Sequence, residues 1–250
     1  MTRRRWIADT WTATSAALTG EQAEHLVRVL RATPGQIYDV VAGGFLHRAE
    51  ITNVRAASGN EPAEVLFTLH EELESDSALP LHLLLSIFKF DHMEWAIEKA
   101  TELGVSRITP VVARRTEKHL GLTAAKRAER WRRIALEASK QSRRVTIPEI
   151  TEPIALKGAL DQVTSPVRIL LSETEQTTSI AAALKQHEGL VTLDAELTHA
   201  LAIGPEGGWT QEEMVLFTQH GWQHVTLGPR ILRAETAAIA ALAILSSHFA

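Results

Sequence analysis

The sequence predicts an α/β domain built on a mostly parallel sheet, preceded by a small β-barrel-like domain carrying one helix. Three observations predict it. Strand-like runs alternate with helix-like runs from Pro80 onward. The residues up to Glu72 carry short alternating segments instead. Between the two lies an acidic stretch poor in apolar residues, Glu71-Glu72-Leu73-Glu74-Ser75-Asp76-Ser77-Ala78, which reads as a linker.

In the first domain, 1–72, a strand-like start is followed by a helix opening at Thr19-Gly20-Glu21-Gln22, a capping-box pattern. The helix carries His25-Leu26-Val27-Arg28-Val29-Leu30 and is ended by Pro34-Gly35. Ile37-Tyr38-Asp39-Val40-Val41 and Ala49-Glu50-Ile51-Thr52 read as strands. After the linker, 73–80, the second domain, 81–250, opens with a strand over Leu81–Ile87 and a helix from Asp91. A strand over Arg107–Val112 and a long helix from near Ala124 come next. Further strands are expected at Val167–Leu171, Leu201–Gly204 and His224–Leu227. Parallel sheets of this kind take their ligands at the carboxyl ends of the strands.

Composition narrows the chemistry. The 250 residues contain no Cys, which removes disulfides, thiolate metal sites and thiolate nucleophiles together. The longest apolar run, Ala237–Leu245, is far short of the roughly 20 residues that span a bilayer, and no apolar segment follows the basic N-terminus as a secretory signal would. A soluble, cytoplasmic protein is expected. The 11 His show no metal-ligand pattern. His220 and His224 have helical spacing but are separated by Gly221, and all are read as surface or packing residues.

The most informative stretch is Ile203-Gly204-Pro205-Glu206-Gly207-Gly208-Trp209-Thr210, answered by Leu227-Gly228-Pro229-Arg230-Ile231-Leu232-Arg233-Ala234-Glu235-Thr236. Each run sets a Gly-Pro pair after a strand and before a helix, so two loops of exposed main chain should adjoin at one sheet edge. Thr210 and Glu213 form a capping box, and Trp209 is placed to staple onto Met214. The Gly207-Gly208 pair costs backbone entropy, which is justified only by unusual dihedrals or a close approach. No dinucleotide fingerprint or phosphate loop is present. Glu206 would repel phosphate, so a ligand with a positive centre is expected.

Net charge is −4, but from Arg107 to Arg144 there are twelve Lys or Arg against three Glu. On a helix from Ala124 to Arg144, Lys126, Arg130, Arg133, Lys140 and Arg144 share one face, while Ala124, Ala128, Trp131, Ala135 and Ala138 lie opposite. A solvated surface helix would show a similar face. The scarcity of acids among five cations favours phosphate contact. Arg114 and Arg115 extend that surface, and Arg3-Arg4-Arg5 either extend it or form a disordered basic tip.

The paired loops resemble the signature of the SPOUT-class, trefoil-knotted RNA methyltransferases. More narrowly, the chain is similar along its length to the small-subunit ribosomal RNA methyltransferase E family. The similarity includes His25-Leu26-Val27-Arg28-Val29-Leu30-Arg31 with Pro34-Gly35, Lys89, Lys99-Ala100-Thr101-Glu102-Leu103-Gly104-Val105, Glu137-Ala138 and Gln141-Ser142. Lys140 stands where that family commonly has an acid, and Thr146 where Arg is frequent.

The resemblance implies a PUA-like first domain, a knotted second domain, a homodimer, and N3-methylation of a uridine in 16S ribosomal RNA with S-adenosylmethionine. It implies a bent cofactor held by Ile203, Gly204, Pro205, Glu206, Gly207 and Gly208, by Leu227, Gly228, Ile231, Leu232, Arg233 and Thr236, and by the strand end Leu171-Ser172-Glu173. RNA contacts are implied at Arg28, Arg31, Lys89 and Gln141. A ribose 2′-O-methyltransferase and a non-catalytic ribosome-assembly factor are the alternatives.

Uridine N3 must lose a proton to accept a methyl group, and it lies on the paired edge of the base, so base flipping is expected. Arg233 is the candidate to neutralise the uracil anion, and Glu235 or Glu206 to orient the base or relay the proton. Glu235 could equally be a first-turn acid stabilised by the helix dipole. Methylation at C5 commonly uses a cysteine, which this chain lacks. The Ala-rich last helix, Glu235–Leu245, allows close approach to the interior or to a second subunit.

Overall fold

The computed structural model describes residues 5–75, 78–187 and 197–249. Two compact units divide the chain. The first holds the residues described before Ala78 together with Ser139–Thr146, and the second holds Ala78–Ala138 and the residues from Ile147 onward.

The first unit is a six-stranded sheet. Its strands are β1 (Arg5–Ile7), β2 (Thr10–Trp11), β3 (Ser15–Thr19), β4 (Ile37–Ala42), β5 (Phe45–Arg55) and β6 (Glu64–Leu73), in spatial order β1-β4-β5-β6-β3-β2. The β1–β4 pair is parallel and the other pairs are antiparallel. Trp6, Leu18, Val40, Ile51, Val65 and Phe67 form its core. Arg5 and Trp6 are therefore part of an ordered strand, and Arg5 also donates through Nη1 to the Arg143 carbonyl at 2.8 Å. Arg3 and Arg4 lie outside the described residues.

One helix crosses this sheet, α1 (Gly20–Glu24), continued by a π turn over His25–Val29 that seats Leu26 in the core. The expected capping box does not form. Asp9 takes its place, its Oδ2 accepting from the Thr19 N–H at 2.7 Å and from the Thr19 hydroxyl at 3.2 Å. The helix also stops earlier than expected, because Arg31 turns into the left-handed region with φ 51° before Pro34 is reached.

The second unit carries seven strands: β7 (Leu79–Ser86), β8 (Val105–Val112), β9 (Glu149–Ile150), β10 (Ile154–Ala155), β11 (Val167–Leu171), β12 (His199–Ile203) and β13 (Gln223–Val225). Their order is β10-β8-β7-β12-β11-β13, with β9 on β8, and every recorded pair is parallel. Among the described residues seven helices accompany them: α2 (Phe90–Glu102), α3 (Lys118–Thr123), α4 (Ala128–Ser142), α5 (Leu156–Gln162), α6 (Ile180–Gln186), α7 (Gln211–Gln219) and α8 (Ala234–Phe249).

Helices cover both faces, which is why the strands read as continuous apolar runs and not as alternating ones. Leu81, Leu83 and Leu85 of β7 point into the core shared with α2, α4 and α8, whereas Leu84 points into the core shared with α5 and α7. At the amino ends of β7 and β12, burial before all else lowers the pKa of His82 and of His199 to about 4, so both rings stay neutral at physiological pH.

Candidate active site

The carboxyl ends of β12, β11 and β13 lie side by side. Because Leu85 is paired in register with Ile203, the end of β7 and the start of α2 adjoin them. Three loops and one helix start thus converge on a cavity of about 920 Å³.

The loop after β12 shows both reasons for a double glycine. Gly208 has φ +68° and donates to the Pro205 carbonyl at 2.8 Å, closing a turn. Gly207 has ordinary dihedrals, but a Cβ there would stand 3.2 Å from Cδ of Arg115, whose guanidinium donates to the Gly207 carbonyl. Gly204 is equally tight, since a Cβ would meet Trp209 Nε1 at 3.1 Å.

The capping box at α7 is complete. Thr210 Oγ1 accepts from the Glu213 N–H at 3.3 Å, and Glu213 Oε2 accepts from the Thr210 N–H at 2.8 Å. The other oxygen of Glu213 accepts from the Arg114 N–H at 2.7 Å, which ties the loop after β8 to this turn. Trp209 and Met214 pack on one apolar cluster, where the Trp209 ring lies 4.7 Å from that of Phe217.

The loop after β13 turns at Gly228, whose φ of +107° suits only glycine, and no atom stands within 4 Å of where a Cβ would be. It is laced to the loop after β11. The Ser172 N–H donates to the Val225 carbonyl at 3.0 Å and the Thr226 N–H to the Thr178 carbonyl at 2.8 Å. Glu175 braces the second loop by accepting from the hydroxyl and N–H of Thr177 and from the N–H of Thr178. These bonds hold its pKa down at about 2.

Of the residues expected to hold a cofactor, Leu171, Ser172 and Glu173, the whole run Ile203–Gly208, and Leu227, Gly228, Ile231, Leu232 and Arg233 all line the cavity. Thr236 does not. It sits exposed in the first turn of α8, while its neighbours Glu235 and Ala237 face inward. Glu206 Oε1 accepts from the Lys89 N–H at 3.3 Å, and buried Glu235 lies with Oε1 3.4 Å from His92 Nδ1. Arg233 and Arg230 are exposed at the rim, and Ile231 between them is 83% exposed.

Lys89 and Arg115, expected on the RNA surface, also line this cavity. His92, Thr174, Glu175, Gln176, Gln211 and Arg230 line it as well and were not anticipated. His92 carries no motif of its own. The signal that could have found it is its place in the first turn of the helix following a parallel strand.

The basic helix departs from expectation in three ways. The expected single helix is a 3₁₀ turn over Ala124–Arg127 followed by α4. It ends at Ser142, with Arg143 at φ 62°. Arg144 therefore lies beyond the helix and off its face, and burial lowers its pKa to about 10. Acids from other elements also balance the cations. Arg130 forks onto Glu94 of α2 at 2.6 and 2.7 Å, and Arg132 meets Glu152 at 2.6 Å. Lys126 and Arg133 remain exposed, with no ion pair among the described residues.

The opposite face is as expected, with Ala124, Ala128, Trp131, Ala135 and Ala138 all buried. Lys140 and Gln141 fall in the segment that belongs to the first unit. Arg28 there pairs with Glu24 at 2.9 Å, and Arg31 is exposed.

Known proteins resemble this chain in sequence and fold. The family model for an RNA methyltransferase domain matches residues 75–246. A ribosomal RNA small subunit methyltransferase E from Synechocystis is 35% identical over 92% of this chain and 72% of its own length. The crystal structure of a ribosomal RNA small subunit methyltransferase E from Neisseria gonorrhoeae bound to S-adenosyl methionine superposes with a TM-score of 0.76 at 30% identity. It covers 99% of this chain and 98% of that one. A putative methyltransferase from Legionella pneumophila in complex with the same cofactor gives 0.77 at 29% identity with the same coverage. With relatives of that name matching nearly its whole length, an α/β methyltransferase fold in its second unit and the paired loops at one cavity, this chain belongs to the ribosomal RNA small subunit methyltransferase E family.

Proposed function

We propose that this protein transfers a methyl group from S-adenosylmethionine to N3 of a uridine in 16S ribosomal RNA. The observation that carries the reading is the single cavity into which both Gly-Pro loops, Arg233 and Glu235 converge. Its volume of about 920 Å³ lies at the upper end of the range for small-molecule sites, which leaves room for a base beside a cofactor. The residues fit the cofactor. The open space at Gly228 lets a ligand approach the main chain closely, and Glu173, Glu206 and Glu235 offer carboxylates to a positive centre.

Bound there, the cofactor supplies an electrophilic methyl group on a sulfonium. The protein supplies position and charge. Arg233 at the rim stabilises the uracil anion as N3 loses its proton. Glu235, buried and close to His92, accepts that proton. Glu206 anchors the start of α2 through the Lys89 N–H and closes one wall. Without cysteine, the thiolate addition to the ring through which C5 methylation commonly proceeds is not open to this chain.

In the same reading residues 1–72 form a PUA-like RNA-binding barrel, 73–80 a linker and 81–250 a trefoil-knotted domain, acting in the cytoplasm on the small ribosomal subunit. Among the described residues no helix is long and apolar enough to cross a membrane. The protein acts as a homodimer, an assignment supported by exposed Trp95 on α2 and Ile244 on α8, helices that pack on each other. RNA is held by Lys126 and Arg133, by Arg114, and by Arg28, Arg31, Lys140 and Gln141.

Incubating the protein with S-adenosylmethionine and small subunits, followed by mass spectrometry of the digested RNA, should yield 3-methyluridine. A 2′-O-methylated nucleoside, or no transfer despite cofactor binding, refutes the assignment.

A further inference from the structure

The start of α2 contacts two of the acids that line the cavity. The Lys89 N–H holds Glu206, and His92, three residues on, presents Nδ1 to Glu235 Oε1 at 3.4 Å. On its other side His92 Nε2 lies 3.7 Å from Asp91 Oδ2. Side-chain exposure climbs along this row, from 5% at Glu235 to 33% at His92 and 77% at Asp91. Among the described residues, Glu235 has no other ion-pair partner.

A carboxylate that accepts a proton inside a cavity must lose it before the next turnover. While product still fills the cavity, a buried carboxylate sheds that proton most directly through a neighbour touching both itself and water. We infer that His92 clears the proton from Glu235 to solvent, making Glu235, His92 and Asp91 a proton exit from the cavity. The inference rests on the proposed methyl transfer in two respects, that the methyl-accepting atom sheds a proton, as uridine N3 and a ribose 2′-hydroxyl both do, and that Glu235 takes it.

The step balances. As the N3–H proton passes to Glu235, the freed electron pair on N3 forms the bond to the methyl carbon. The C–S bond breaks with its pair retained by sulfur, so the sulfonium leaves as a neutral thioether. Glu235 then gives the proton to Nδ1 of neutral His92, and the imidazolium releases the proton on Nε2 to water. The separations of 3.4 and 3.7 Å exceed those of working hydrogen bonds, and catalytic contacts of this kind tighten in the substrate complex. His92 is thus a positioning and relay residue and need not touch the substrate.

His92→Gln and His92→Ala of the full chain, assayed beside the wild type on small subunits, test this. With His92→Gln the cofactor Kd should stay within about 2-fold and the KM for RNA should hold, while kcat at neutral pH falls at least about 10-fold. Added imidazole should restore kcat in His92→Ala, and the deficit of both variants should shrink as pH rises and hydroxide takes over the clearance. Wild-type kcat in His92→Gln overturns the inference. So does a deficit that neither imidazole nor higher pH relieves, which would make His92 a clamp between α2 and α8. The wild-type product reports separately on the proposed function, because ribose methylation would refute the N3 assignment while the His92 rates remain decisive.

Discussion

The cavity loops and helix α4 build their surfaces from different material. In the loops the shape is main chain: Gly208 and Gly228 at positive φ, Gly207 against Arg115, and carbonyls and amides laced between β11 and β13. On α4 the surface is the tips of long side chains, and their charge is shared with whatever packs nearby. Glu94 and Glu152, both distant in sequence, take up Arg130 and Arg132. A site made of backbone keeps its character wherever the chain folds as its glycines require. A site made of charges is decided by the neighbours.

The largest effect separating the two regions is expected at Arg233. Arg233→Ala should lower methyl transfer by about 100-fold or more while leaving cofactor affinity within a few-fold, because the lost interaction forms only as charge develops on the base. Single-turnover rates beside calorimetry check this, and near-normal turnover would remove Arg233 from the chemistry.

Next comes Glu213, buried with its carboxylate bridging Thr210 and Arg114. Glu213→Ala should cost about 2 kcal/mol of stability, seen in denaturant unfolding, because two amides lose their acceptor.

Gly228→Ala tests the backbone directly. No neighbour blocks the methyl, so only the φ of +107° resists it. Strain of about 1–2 kcal/mol should weaken cofactor binding roughly 10-fold. Wild-type affinity would show that the loop tolerates another path.

The smallest effects belong to α4. Lys126→Ala and Arg133→Ala should each weaken RNA binding a few-fold and reduce the slope of log affinity against log salt by about 1. Arg130→Ala should do less than either, since Arg130 is already committed to Glu94. Equal losses at all three positions would erase the distinction drawn between them.

Much of this site was legible in the sequence because its determinants are local. Both Gly-Pro runs, the Thr210–Glu213 capping box and the strand Val167–Leu171 depend on residues a few positions apart, and each stands where its pattern places it. The pattern at Thr19 has the same spacing and fails, because Asp9 accepts the Thr19 N–H that Gln22 would have accepted and draws the hydroxyl as a donor, while Gln22 donates to the Ile7 carbonyl. Arg144 left the helix for a similar reason: a left-handed residue at Arg143 ends α4, and periodicity carries no sign of it. His92 was invisible because its partner Glu235 lies more than 140 residues away.

By itself the sequence determined that two turns of main chain follow strands and precede helices around the cavity, since glycine dihedrals, proline and capping hydroxyls act over a few bonds, although the strands expected to end at Leu227 and Gly204 end at Val225 and Ile203. It also determined that the chemistry uses no thiol. Only the tertiary structure decided which charges remain free, which loops meet, and which histidine faces the buried acid. Electrostatic partners are chosen by distance in space, and the parallel sheet order β7-β12-β11-β13 sets those distances.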